Sequence, residues 1–213
     1  MEREWKGESI VILDFGSQYT QLIARRVRAE KVFSVILPHD ASLEEIRDES
    51  PTGLMLSGGP ADITDENAPG LKADIFDLGV PILGICYGMQ LIGMMKGARI
   101  EKSGHREFGH TEIEADTSNP LFRSTPERQR VWMSHGLRVG SVPEGFVRIA
   151  SSEGCPVAAM CGSRERIYGL QFHPEVVHTE HGNEILRNFL FEVCGAEPSW
   201  NSESFVELEV SRI

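Results

Sequence analysis

Cysteine is scarce and wrongly spaced for a metal or redox pair. The four residues, Cys86, Cys155, Cys161 and Cys194, form no Cys-x-x-Cys, which excludes a thiolate zinc knuckle and a thioredoxin-type dithiol. Basic residues are outnumbered, 21 Lys and Arg against 32 Asp and Glu, and a net charge of −11 leaves no broad positive surface for a nucleic-acid backbone. No apolar run approaches the length of about 18 residues that a membrane span needs, and the start Met1-Glu2-Arg3-Glu4-Trp5-Lys6 lacks a signal-peptide pattern. The chain is therefore expected to be soluble and cytoplasmic, with neither membrane nor nucleic acid among its partners. Internal repeats, low-complexity tracts and a Walker-type phosphate loop are also missing. His105 with His110 and His178 with His181 lack a supporting Cys or carboxylate constellation, so they read as surface histidines and no metal site is expected.

What is present suffices for one full core: 213 residues, 40% of them hydrophobic. Short apolar runs at Ile10 to Phe15, Ser34 to Leu37, Gly53 to Leu56 and Pro81 to Ile85 read as strands, and Thr20 to Glu30, Leu43 to Asp48, Leu71 to Leu78 and Tyr87 to Lys96 as helices. That rhythm predicts an α/β fold, an open and mostly parallel sheet with helices on both faces. The second half adds strands, predicted antiparallel, at Gly109 to Ala115, Arg130 to Met133, Phe146 to Ser151, Val157 to Met160 and Ile167 to Phe172, and closes on a helix at Asn183 to Val193. The tail from Ala196 is polar and acidic, dotted with Trp200, Phe205, Val206 and Leu208.

Three separated segments carry chemistry. Gly84-Ile85-Cys86-Tyr87-Gly88 lies between the apolar run Val80 to Leu83 and the helical Met89 to Met95, the pattern of a strand-to-helix elbow that projects its central side chain at the helix amino terminus. A random chain of this composition would show Gly-x-Cys-x-Gly about 0.04 times. A cysteine nucleophile needs a base and a group to orient that base. His173 and Glu175, two apart after the strand-like Ile167 to Phe172, share one side of an extended chain. Ser57-Gly58-Gly59-Pro60 follows another strand end, and its glycines can bring backbone N–H groups to a developing oxyanion. Gly58, Cys86 and His173 each follow a strand end, where an open α/β sheet places its ligand. Cys155, Cys161 and Cys194 read as small buried thiols.

Together the elbow, Gln171-Phe172-His173-Pro174-Glu175 and Ser57-Gly58-Gly59-Pro60 resemble the class I, triad-type, glutamine amidotransferases, over residues 9 to 200 or so. Leu13 to Arg28, Val131-Trp132-Met133-Ser134-His135-Gly136 and His178-Thr179 with Gly182 are similar to one branch of that family, whose released ammonia aminates xanthosine monophosphate (XMP). The resemblance implies a flavodoxin-like sheet, glutamine as substrate, and a γ-glutamyl thioester on Cys86 with His173 as base and Glu175 orienting it. It also implies an oxyanion hole from the N–H groups of Gly59 and Tyr87, and substrate contacts from Gly58, Gln90, Ser134 and His135. Residues 1–8 would be an N-terminal extension, 9–196 the amidotransferase domain, and 197–213 a tail or the start of a linker to an ATP pyrophosphatase domain or subunit. That partner's loop, Ser-Gly-Gly with Asp-Ser, is not matched here, since Pro60-Ala61-Asp62 follows Ser57-Gly58-Gly59. No cofactor is expected in this chain, and ATP and Mg only in the partner. Arg25, Arg26 and Arg28 read either as part of a docking surface for it or as a solvated helix face. The branch usually carries Asp where this chain has Leu137, so one candidate partner for the ammonium of glutamine is missing.

Two other readings stay open on the residues alone. One is a γ-glutamyl hydrolase of the same elbow architecture, releasing a peptide or amine. The other is a catalytically idle module that only binds glutamine or a partner; the intact Cys86, His173 and Glu175 weigh against it, because an idle module gains nothing from a reactive thiol.

Overall fold

Side chains two apart face the same side of a strand, and in β1 (Ser9–Asp14) the division is complete. Ile10 and Ile12 enter one apolar cluster, Val11 and Leu13 another. In β3 (Pro51–Leu56) and β4 (Ile82–Ile85), Met55, Leu83 and Ile85 join the first cluster while Leu54, Leu56 and Ile82 join the second. Strands apolar on both faces demand cover on both. On the first face lie α1 (Thr20–Ala29), with Ile23, Ala24 and Val27, and α4 (Gly182–Arg187), with Ile185 and Leu186. On the second lie α2 (Leu43–Asp48), with Ile46, and α3 (Tyr87–Met95), with Met89, Leu91 and Ile92. A capping box fixes the start of α2: Glu45 N–H donates to Ser42 Oγ, and the Glu45 carboxylate accepts from Ser42 N–H.

The computed structural model describes residues 7–162 and 164–201, apart from the side chains of 103–107. The tail residues Phe205, Val206 and Leu208, and the His105 side chain, lie outside what is described. One sheet of nine strands takes in β1, β3, β4, β2 (Ser34–Pro38), β5 (Ile100–Ala115), β6 (Arg128–Val139), β7 (Val147–Ser151), β8 (Ala159–Gly162) and β9 (Ile167–Leu170). Their order is β2-β1-β3-β4-β9-β8-β7-β5-β6. From β2 to β9 neighbours run parallel, in the flavodoxin-like sequence of strands; from β9 to β6 they run antiparallel. The sheet is thus the expected parallel half with an antiparallel extension. No described helix is long and apolar enough to cross a membrane.

Several elements differ from expectation. β5 and β6 are far longer than Gly109 to Ala115 and Arg130 to Met133, because backbone pairing continues through Ser134-His135-Gly136, whose polar and glycine residues conceal a strand. Residues Ala73–Leu78 form a 3-10 turn instead of an α-helix; it buries only Ile75 and stops at Gly79, φ 72°. The closing helix changes at Asn188 into a π-helical turn, Asn188–Val193, where the Asn188 amide donates to Leu121 O and Arg123 O. One connection matters most for the site. An isolated bridge joins Met133 of β6 to Phe172, and His173 N–H donates to Trp132 O at 3.0 Å. The β5–β6 hairpin is thereby held against the carboxyl end of β9.

Candidate active site

The elbow owes its sharpness to two glycines. A Cβ on Gly84 would lie 2.5 Å from the Gly88 carbonyl carbon, and one on Gly88 would lie 2.6 Å from Leu56 O, so only glycine admits this backbone approach. Between them Cys86 adopts φ 51° and ψ −102°. Such a conformation costs a non-glycine residue about 1–3 kcal/mol. Pairing on both sides holds it: Cys86 N–H donates to Leu170 O at 2.7 Å, and Cys86 O accepts from Gln90 N at 3.1 Å. The thiol sits at the amino end of α3, which carries partial positive charge. Its Sγ is 3.6 Å from Ser134 O and 3.7 Å from Gln171 Nε2.

His173 reaches the cysteine from the next strand of the sheet. Its backbone is pinned at both ends, N–H to Trp132 O and C=O accepting from Thr179 Oγ1 at 2.6 Å, while Thr179 Oγ1 also accepts from Trp132 N–H at 3.0 Å. Nδ1 lies 2.8 Å from Glu175 Oε1. Pro174 between the two does not disturb the shared side expected from their spacing. Burial pulls the His173 pKa down, but the Glu175 carboxylate and hydrogen bonds to Cys86 and Glu175 outweigh it and leave the imidazole well above its ordinary 6.5. Glu175 is fully buried, and Arg26 Nε donates to its backbone carbonyl at 3.1 Å. The Tyr19 ring meets the imidazole edge-on at 5.4 Å. Packing on Pro174 requires Gly182, where a Cβ would lie 1.9 Å from Pro174 O.

The glycine loop after β3 is tied down by Ser57. Its buried hydroxyl accepts from Phe15 N–H at 3.0 Å and donates to Gly58 O at 2.8 Å. Gly58 lies against both reactive groups: a Cβ there would be 3.0 Å from His173 Cε1 and 3.8 Å from Cys86 Cβ. Gly59 crosses the β1 end so closely that a Cβ would be 2.7 Å from Phe15 O.

Beside Cys86 opens a cavity of about 460 Å³, between this loop and the β5–β6 hairpin. Gly59, Tyr87, Gln90, Ser134 and His135 line it together with Cys86; Gly58, His173 and Glu175 do not. Tyr87 donates its hydroxyl to Pro69 O at 2.6 Å. The Gln90 amide donates to Leu137 O at 2.8 Å. Burial, then the charge of Arg138 and of His173, pushes His135 down to about 4, so it is neutral at pH 7.

The arginines of α1 answer to neither expectation in full. Arg26 holds the Glu175 backbone, and Arg28 donates to Ser34 O at 2.7 Å while its guanidinium lies 5.9 Å from the rings of Phe33 and Trp200. Trp200 N–H donates in turn to Lys31 O at 2.8 Å, so the start of the tail packs back on the end of α1. His178 is exposed and stacks 4.5 Å from Trp132, while His181 faces Glu184 at 4.0 Å. Sequence reasoning passed over Ser57, Tyr19, Thr179 and Gln171 as site residues. All four lie inside segments already recognised, Ser57 and Gln171 in the glycine loop and the His173 motif, Tyr19 and Thr179 in the stretches similar to one branch of the family, and that membership was the available signal.

Residues 11–193 match the family model of the class-I glutamine amidotransferases. The glutamine-hydrolysing GMP synthase of Bacillus cereus (strain ATCC 10987 / NRS 248) is 48% identical over 206 residues, 97% of this chain and 40% of its own length. That of Bacillus cytotoxicus is 48% identical over the same shares. The chain thus spans 40% of the length of these curated relatives. Among solved structures, a Thermoplasma acidophilum protein provisionally named as a GMP synthase subunit has a TM-score of 0.76 at 32% identity, with 97% of this chain and 99% of that one covered. A Thermotoga maritima glutamine amidotransferase shares the fold at a TM-score of 0.65 and 21% identity, over 97% and 94% of the two chains.

Proposed function

The chain belongs to the class-I glutamine amidotransferases, and from that premise we propose that it releases ammonia from glutamine as the glutaminase component of a GMP synthase. The observation that carries the reading is the Cys86 elbow backed by the buried His173–Glu175 pair at 2.8 Å. In the proposed reaction His173 takes the thiol proton and Sγ attacks the side-chain amide carbon of glutamine. The resulting oxyanion is held by the N–H groups of Gly59 and Tyr87. Collapse breaks the C–N bond, and His173 gives its proton to the departing nitrogen, which leaves as ammonia. Water then attacks the γ-glutamyl thioester, its proton passing to His173 and on to the thiolate as glutamate leaves. Glu175 fixes the imidazole tautomer and stabilises its cationic form. The raised pKa of His173 suits that work, since the imidazolium must persist beside an anionic sulfur.

These steps call on no cofactor. In the fuller reading, ATP and magnesium act in an ATP pyrophosphatase domain or subunit that activates XMP, and the ammonia is delivered there in the cytoplasm. Free ammonia is protonated at neutral pH, so direct delivery keeps it nucleophilic. Glutamate release from glutamine, abolished in Cys86→Ala, tests the hydrolysis. A preference for γ-glutamyl peptides over glutamine would instead establish the hydrolase alternative. Coupling is tested by adding a separately prepared ATP pyrophosphatase domain with ATP and XMP. An accelerated release is expected, and an unchanged rate at saturating partner refutes the GMP synthase assignment while leaving the glutaminase standing.

A further inference from the structure

Glutamine brings two charges as well as an amide. With the amide at Cys86, its α-ammonium and α-carboxylate must lie elsewhere in the cavity, and a zwitterion there is best met by one group of each sign. Among the described residues lining the cavity, Asp62 is the only carboxylic acid and Lys102 the only lysine or arginine, while His135 is neutral. They come from different elements of the fold. Asp62 lies in the loop that runs on from Gly59, and Lys102 is on β5, in register with Leu137 of β6.

Each is ready for a ligand. Asp62 Oδ1 accepts from Thr64 N–H at 2.9 Å and from Thr64 Oγ1 at 2.5 Å, and Oδ2 carries no partner among the described residues. These bonds and the nearby charge of Lys102 lower the Asp62 pKa and keep it anionic. The Lys102 ammonium makes no hydrogen bond or ion pair among the described residues, although acids exceed bases by 11. Leu137 offers no charge, and its carbonyl is occupied by the Gln90 amide. Resting on the glutaminase reading, we propose that Lys102 binds the α-carboxylate of glutamine and Asp62 its α-ammonium. Together they select a free amino acid over a mere primary amide.

The bland rival is an opposite-charge pair that merely faces itself across the cavity mouth. Two isosteric variants of the full chain, Lys102→Gln and Asp62→Asn, separate the two, and Asn keeps the oxygen that Thr64 needs. Each variant is expected to raise the KM for glutamine about tenfold or more, with a much smaller change in kcat, because these charges are remote from the bond broken. Two competitive inhibitors assign the roles. Glutaramate lacks the amino group, so its inhibition should weaken in Lys102→Gln and persist in Asp62→Asn. 4-Aminobutanamide lacks the carboxylate and should show the reverse. A KM rise below about fivefold in either variant overturns the proposal, as does equal weakening of both inhibitors by both variants. Failure of the wild-type chain to release glutamate, or of a glutamine-like electrophile to label Cys86, would instead sink the glutaminase reading itself.

Discussion

Gly58→Ala should disable the site while leaving the fold in place. The added methyl would sit 3.0 Å from His173 Cε1, with Ser17 Oγ at 3.6 Å and Cys86 Cβ at 3.8 Å. Carbon atoms in good contact stand about 3.5–4.0 Å apart, so the imidazole must retreat by roughly half an ångström or more. The other two neighbours are already at ordinary contact distance and leave the methyl no other way to turn. Gly58 is not among the glycines with positive φ, so the backbone tolerates alanine and the whole effect is steric. A displacement of about 1 Å in a reacting group costs about 100-fold in rate, which places the expected loss in kcat at about 10- to 100-fold. Overpacking adds about 1–3 kcal/mol of destabilisation. Steady-state glutamate release beside a thermal melt separates the two effects. Gly70→Ala is the control, since nothing lies within 4 Å of a Cβ there. A Gly58→Ala enzyme that turns over within twofold of wild type would refute the placement of the methyl between nucleophile and base.

Other substitutions probe other links. Cys86→Gly should exceed Cys86→Ala in stability by about 1 kcal/mol in urea melts, because only the alanine retains the strain at φ 51° and that strain outweighs the extra unfolded-state entropy of glycine; equal midpoints would mean that the elbow stores no more than that entropy cost. A glutamine-like electrophile should label Cys86 alone, since Cys86 lines the cavity while Cys155 and Cys161 are buried away from it and burial pushes the Cys194 thiol pKa up; comparable label on any of these removes the nucleophile assignment. His135, depressed from 6.5 to about 4, binds its proton more readily in the unfolded chain, so its share of stability is present above pH 6.5 and is lost as pH falls towards 4. That share reaches about 3 kcal/mol, and His135→Gln should flatten the stability slope across this window in urea melts. His173 has the opposite sign, its pKa being raised, so its contribution is full below 6.5 and fades as pH climbs through the folded value. Ser57→Ala strips the Phe15 N–H of its buried partner. It should cost about 1–3 kcal/mol and lower kcat by loosening the Gly58–Gly59 loop; wild-type melting would contradict it.

The parallel half of the sheet was legible because its strands are apolar on both faces, and a continuous apolar run such as Leu54 to Leu56 announces itself without help from partners. Cys86, His173 and Glu175 were legible for a related reason: the elbow glycines and the i, i+2 spacing are local features with local consequences. The β5–β6 hairpin was only half visible, since Lys102 and His135 carry no strand signal and become strand by pairing with Leu137 and Glu107. Asp62 and Lys102 could not have been matched from sequence, because only the folded sheet brings them to the lining of one cavity. Arg26 was read as surface charge for the same reason: its acceptor, Glu175 O, lies 149 positions along the chain.

The neighbour relation of β4 and β9 has a consequence for how the protein comes into being. Gln171, at the end of β9, is made 85 positions after Cys86. A chain emerging from the ribosome therefore displays its thiol on β4 and α3 long before a base exists to activate it, and the β4 edge stays open meanwhile. β9 must then enter between β4 and β8 as an interior strand, a non-local closure of the kind that folds slowly. Until that insertion the nascent chain has a nucleophile but no enzyme, and catalytic competence arrives together with the sealing of the sheet.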